Sequence, residues 1–150
     1  MASYAVEPWR EFAVEAAVLW PLHWEEIAID RDKIKLAVDF ASFDALDAMG
    51  QLHVVVAREA GVIVGYWLGI IRPHLHYRDS LTAYTDVFYV RQESRRDVWV
   101  FQKMLDFVEK SLKQRGVQKL FIASKSHKDL SRLFERRQMN RTEVVYTKVL

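Results

Sequence analysis

The stretch Leu81-Thr-Ala-Tyr-Thr-Asp-Val-Phe-Tyr-Val90 leaves a chain of this kind few choices of fold. It is an apolar run of β-branched and aromatic residues, and it breaks into a basic turn, Arg91-Gln-Glu-Ser-Arg-Arg96. An amphipathic helix follows from Val98 to Arg115. Val98, Phe101, Leu105, Val108 and Leu112 make its apolar stripe, and Gly116 stops it. Val117 to Ala123 then reads as a buried strand. Strand, long helix and strand in that order form a right-handed parallel crossover. Amides at a helix start lack intrahelical partners, and the dipole there favours anions. With Arg95 and Arg96 beside it, the turn suits a phosphorylated ligand, although such junctions also occur for structural reasons alone.

The flanking sequence fills in the rest. Pro8 to Trp20 reads as a helix, with Pro8 in its first turn and Phe12, Ala16, Leu19 and Trp20 at helical spacing. Pro21 interrupts it, and residues from Leu22 to Ala28 form a short second helix. Asp39 to Met49 is a third, closed by Gly50. The period then changes. Leu52 to Ala57 is a strand, Arg58 to Gly61 a hairpin turn, and Val62 to Ile71 a second strand that Pro73 ends. His74 to Asp79 lead into the Leu81 strand. Lys128 to Arg137 reads as a basic helix and Glu143 to Leu150 as a last strand. The expectation is a single α+β (α/β) domain over residues 1–150, with a mixed central sheet flanked by helices. Residues 1–50 form its helical part, and residues 51–150 the sheet and ligand-binding core.

Composition removes several classes. The chain has no cysteine, hence no disulfide framework, thiolate metal site or cysteine nucleophile. No apolar run reaches the roughly 20 residues that span a bilayer, and the first residues lack the pattern of a signal peptide. A cytoplasmic location with no membrane association is therefore the default expectation. The net charge of +2 is unevenly spread: the first sixty residues hold 5 basic and 11 acidic side chains, and the remaining ninety hold 17 and 9. Such asymmetry suits a protein that meets an anion on one side and a cation on the other, or two solvated faces of opposite sign.

The element order, with its basic turn between strand and helix, resembles the GNAT superfamily of acyl-CoA-dependent N-acetyltransferases. The likeness runs from about Leu52 to Leu150. Several phrases more particularly resemble small GNAT-like proteins encoded by tailed phages: Leu22-His-Trp-Glu-Glu26, Val64-Gly-Tyr66, Arg72-Pro-His-Leu-His-Tyr-Arg78, Asp86-Val-Phe-Tyr-Val90 and Lys125-Ser-His-Lys-Asp-Leu130. For such a protein the location would be the host cytoplasm. The resemblance implies acetyl-CoA as co-substrate and a primary amine, on a small molecule or a protein, as acceptor. Phe88, Tyr89 and Val90 would present backbone to the pantetheine arm. The segment Arg95, Arg96, Asp97, Val98, Trp99, Val100 and Phe101 would be the pyrophosphate loop. GNAT folds often pair, so a homodimer is expected.

Two departures stand against the family pattern of Gln/Arg-x-x-Gly-x-Gly/Ala. Aligned on Arg96, the glycine positions hold Trp99 and Phe101; aligned on Arg95, they hold Val98 and Val100. Glycine there lets phosphates approach the backbone donors, and a bulky residue serves only if its side chain turns away. Trp99 could stack on a ligand, plug the site or cover a neighbour. The second departure is Phe134, which stands where the family often has a tyrosine that protonates the leaving thiolate. Tyr146 or a water would take that role.

Amine acetylation needs a carboxylate near the acceptor to take its proton. Asp86 is the candidate, since a charge inside so apolar a strand is costly unless it is used or paired. Strict alternation would point it the same way as Phe88 and Val90. Trp24 and Glu25, with His23 and Glu26 beside them, could wall the acceptor pocket, and His74, His76 and Tyr77 lie on a loop that could approach it. Two histidines two apart without a third ligand make a poor metal site, so no metal is expected. Two other readings stand beside the enzyme. One is a GNAT-fold module that has lost its cofactor and binds a protein partner. The other is a nucleic-acid binder, ranked last because the basic residues form no recognition motif.

Overall fold

The computed structural model describes residues 1–150, with Val98 described in its backbone alone. The chain forms β1 (Ser3–Val6), α1 (Trp9–Ala16), α2 (Trp20–Ile27), α3 (Phe40–Ala48), β2 (Leu52–Glu59), β3 (Val62–His74) and β4 (Tyr77–Val90). A 3₁₀ turn at Gln92–Arg96 leads into α4 (Val98–Gln114), β5 (Lys119–Phe121) and α5 (Ser131–Arg136). The five strands lie in the order of their numbers. Each pair from β1 to β4 is antiparallel, while β4 and β5 are parallel across the α4 crossover.

Two apolar layers cover the sheet. On one face Leu52, Val54, Val56, Ile63, Tyr66, Leu68 and Tyr89 pack on Trp9, Phe12, Ala16 and Leu19 of the N-terminal helices. On the other, Val55, Ala57, Trp67, Ala83 and Val90 meet Val100, Met104, Leu105, Val108 and Leu112 of α4. The expected stripe of α4 is therefore its buried face, although the side chain of Val98 lies outside the described residues. No helix is long and apolar enough to cross a membrane.

Local chemistry explains where the elements depart from the sequence reading. Pro21 does not interrupt a helix. The break falls at residues 17–19, and Pro21 sits in the first turn of α2, where its missing N–H costs nothing. Pro73 does not end β3: it faces Leu81 next to a bulge at Pro73/His74, close to the hairpin end where an absent donor is tolerated. The β2–β3 turn is tighter than expected, with Ala60 and Gly61 at positive φ and Glu59 facing Val62. The N-terminal strand β1 carries no clear alternation and was not foreseen. The expected last strand, Glu143–Leu150, is absent: residues 140–150 are exposed and without regular structure.

Candidate active site

The β4–β5 pair holds only at Thr82–Tyr84 against Lys119–Phe121. Beyond Tyr84 the two strands part, and β4 runs on to Val90 with its outer side unpaired. Gly65 faces Val90, and the next bond is the Arg91 amide donating to the Val64 carbonyl at 2.7 Å. Val90 therefore holds a non-hydrogen-bonded position toward β3, as does Phe88 opposite Trp67, so their backbone groups turn to the open side, where the Val90 carbonyl is taken by Arg95 and the two amides and the Phe88 carbonyl are left. Gly65 permits this closeness: a Cβ there would lie 2.9 Å from the Tyr89 carbonyl oxygen. The result is a short stretch of strand edge, available to a ligand that can pair like a strand.

Asp86 sits beside this edge, but not as simple alternation places it. The register slips between Leu68, which faces Val87, and Gly69, which faces Thr85, so Asp86 is the extra residue of a bulge. Ala83 and Thr85 lie on the α4 face, Thr85 through its hydroxyl accepting from the Trp67 indole at 3.1 Å. That face resumes at Phe88 and Val90, whereas Val87 and Tyr89 belong to the other layer. The expectation that Asp86 shares a face with Phe88 and Val90 thus fails at the bulge. Its carboxylate is open to solvent, yet enough protein surrounds it that desolvation pushes its pKa above the usual carboxylate range. Among the described residues it has no ion-pair partner.

The basic turn is only partly free. The Arg95 side chain donates from Nε to the Val90 carbonyl at 2.8 Å and grips both oxygens of Glu26 at 2.5 and 2.6 Å. Its guanidinium also lies 5.5 Å from the centre of the Tyr89 ring. Hydrogen bonding from Arg95 holds the Glu26 carboxyl below its usual range. Arg95 therefore clasps α2 to the end of β4, while Arg96 is exposed. At the head of α4, Asp97 caps the helix by accepting from the Trp99 amide at 3.0 Å. Val100 is buried in the core and Phe101 packs against Phe88 with ring centres 5.3 Å apart, so both turn away from the helix start. Trp99 is 63% exposed, so its ring does not pack into the core.

The remaining candidates are scattered. Phe134 is buried with its ring 6.5 Å from that of Phe88. Trp24 is half-buried and Glu25 exposed on α2. His23 is buried, its Nδ1 2.9 Å from the Tyr66 hydroxyl, and desolvation pushes its pKa down to about 4. His74, His76 and Tyr77 cluster at the β3–β4 turn. Tyr77 lies nine strand positions before Asp86, about 30 Å at the usual rise, so the fold does not bring the two together. Tyr146 stands 90% exposed in the irregular C-terminal segment. A shallow groove of about 460 Å³ between α4 and α5 is lined by Gln102, Asp106 and Arg137. It holds none of these candidates, and Arg137 is tied there to Asp106 and Glu109.

The Arg95–Glu26 clasp escaped the sequence reading, since no spacing rule links residues so far apart. The bulge had a signal in Gly69, because a glycine inside a strand marks a bulge or a close approach.

A mixed sheet whose parallel pair splays beside a strand–turn–helix junction defines the GNAT acetyltransferase fold, and solved structures show it. An aminoglycoside acetyltransferase from an uncultured soil metagenomic sample matches with a TM-score of 0.76 at 15% identity, covering 99% of this chain and 96% of that one. A ribosomal-protein-alanine N-acetyltransferase from Brucella melitensis biovar Abortus matches at 0.75 and 17% identity, covering 100% and 97%. A predicted acetyltransferase with acetyl-CoA from Clostridium acetobutylicum matches at 0.71 and 15%, covering 99% and 96%. The chain matches no protein-family model and no curated protein.

Proposed function

We propose that this chain is an acetyl-CoA-dependent N-acetyltransferase that acylates a primary amine, with Asp86 as general base. The observation that carries this reading is the unpaired β4 edge ending beside a desolvated, accessible and unpartnered carboxylate. The amides of a pantetheine arm suit the open groups of Phe88 and Val90, and Arg96 and the Trp99 ring stand exposed at the phosphate end. Acetyl-CoA supplies an activated acetyl thioester. The Val90 N–H faces the gap, where it can donate to a carbonyl oxygen as negative charge develops on it. Asp86 takes the proton of the attacking amine, directly or through one water. Its raised pKa brings it closer to the amine's own and makes it a stronger base. Phe134 has no proton to give the departing thiolate, and Tyr146 lies in solvent, so water returns that proton. Glu25, exposed on α2, and the half-buried Trp24 beside it would serve a cationic acceptor.

The protein is tested with acetyl-CoA and a panel of polyamines, aminoglycosides and N-terminal peptides, following free thiol with a chromogenic disulfide. The chain has no cysteine, so every thiol detected is released CoA. Amine-dependent release supports the reading, and its absence across the panel counts against it.

A specific feature favours a second reading, a GNAT-fold module that binds a protein partner. Asp97 places a carboxylate on the amide where a phosphate would sit, and Phe88, Phe101 and Phe134 gather beside the gap. On that reading acetyl-CoA neither binds nor reacts, and immobilised protein retains a defined partner through the same edge.

A further inference from the structure

Three segments distant in the sequence converge where the parted strands end. Glu26 of α2 accepts from Arg95, just after β4, and lies 3.9 Å from Nζ of Lys128, which follows β5. Lys125 is close enough for its charge, like that of Arg95, to act on the buried His23 ring. The turn that carries both lysines is fixed by its own hydrogen bonds. Lys125 and Lys128 pair as an isolated bridge, with the Lys128 amide donating to the Lys125 carbonyl at 3.0 Å. At the base of the turn the Ser124 hydroxyl accepts from the Leu130 amide at 2.7 Å and donates to Asp129 at 3.1 Å.

Directly opposed residues of such a pair share one face, and like charges placed there repel. Asp129 is turned instead to the hydroxyls of Ser124 and Ser131. Around Tyr89 and this turn stand four cations, Arg91, Arg95, Lys125 and Lys128, against the carboxylates of Glu26 and Glu93. Arg95 already grips both oxygens of Glu26. Among the described residues Lys125 has no ion-pair partner. Two lysines held together beside an unbalanced positive charge call for an anion. The other end of the site has the opposite sign, since Asp86 is a carboxylate with no cation of its own. It lies three strand positions before Tyr89, about 10 Å at the usual rise.

We propose that the acceptor is an amine that also carries an anionic group, a phosphate or a carboxylate, about 10 Å from its nitrogen. Lys125 and Lys128 hold that group while Asp86 receives the amine, and this rests on the acetyltransferase reading. The reaction keeps its balance. The amine nitrogen bonds the acetyl carbon, the C–S bond breaks, the amine proton goes to Asp86 and water protonates the thiolate. Lysine suits the anion because its ammonium is a compact charge with three donors. A polyamine would bring a second cation to the lysine turn and be repelled there.

Probes of similar length separate charge from reach: 6-aminohexyl phosphate, 8-aminooctanoate, octylamine and 1,8-diaminooctane, each with acetyl-CoA and read by thiol release. The expected kcat/KM for the better anionic probe exceeds that for the diamine by about tenfold or more at low salt, and added salt narrows the gap. Lys125→Gln combined with Lys128→Gln should abolish the preference through the KM of the anionic probe. Equal rates for all four probes overturn the proposal, as does a preference that survives the double substitution. A rise in the KM of acetyl-CoA instead, with the preference kept, assigns the two lysines to the cofactor's phosphates and also overturns it. If no probe releases thiol, it is the acetyltransferase reading that fails. Calorimetric titration of 6-aminohexyl phosphate, with CoA in place of acetyl-CoA, then tests the lysine turn by itself. Binding to the native chain and not to the double variant upholds the anion site, and binding to neither, or equally to both, overturns it.

Discussion

Asp86 carries the chemical argument, and it is costly to keep ionised: it is partly desolvated and has no cationic partner among the described residues. A carboxyl whose folded pKa is raised binds protons more tightly in the folded than in the unfolded chain, so its ionisation lowers stability as pH rises through that range. Asp86→Asn should therefore raise the melting temperature at pH 7, with the gain vanishing below the ordinary carboxylate range. The same change should cut amine acetylation by about 10²–10⁴-fold while acetyl-CoA affinity holds. Unchanged turnover would remove Asp86 from the reaction. The sequence singles this residue out as a charge in an apolar strand. Its direction was not legible, because a bulge breaks the alternation on which such a reading depends.

Two buried histidines behave oppositely to Asp86, losing stability as pH falls. His53 receives Arg115 at Nδ1, so its Nε2 carries the proton and meets the Ser111 hydroxyl at 2.9 Å. Burial pushes both His53 and His23 down to about 4. The unfolded chain takes up protons that the folded chain refuses as pH falls from about 6.5 to 4, and each site then costs on the order of 3 kcal/mol. Urea titrations should show stability falling across that window, and His53→Gln should flatten the slope.

At the scale of elements, the β-bulge and the α4 start do the positioning. Gly69 lies under the Trp67 indole, and a Cβ built there would overlap the ring. The indole is also held by Thr85, one residue before Asp86. Gly69→Ala should therefore destabilise the fold by about 2–4 kcal/mol and disturb the bulge, read as a lower urea midpoint. Asp97→Ala should cost about 1 kcal/mol in the free protein by removing the helix cap. It should also tighten acetyl-CoA binding, because a carboxylate leaves the anion site; calorimetric titration of the variant checks both directions. The long elements were legible because periodicity identifies them, as with α4, and because chemistry marks ends such as the Asp39 cap on Ser42. The splay was not legible. It is an absence of pairing, and no residue type in β4 or β5 announces where two strands part.

Across the whole molecule, the sheet separates two sets of helices. The acidic first part supplies α1–α3 on one face, and the basic second part supplies α4, α5 and the turn that meets the open β4 edge. Where the two parts meet, the Arg95–Glu26 clasp crosses from one to the other. The mixed α+β class could be read from element order, since a β-α-β crossover after antiparallel strands admits few arrangements. The acceptor could not, because a fold does not determine the substrate it serves.

The cofactor comes before everything else in this account, and binding of acetyl-CoA can be measured without knowing the acceptor. The melting temperature of the full chain should rise with millimolar acetyl-CoA, by the equivalent of roughly 2.7 kcal/mol once the ligand reaches 100 times its Kd. An unchanged melting temperature across that range would contradict the enzyme reading and leave the fold as a partner-binding module.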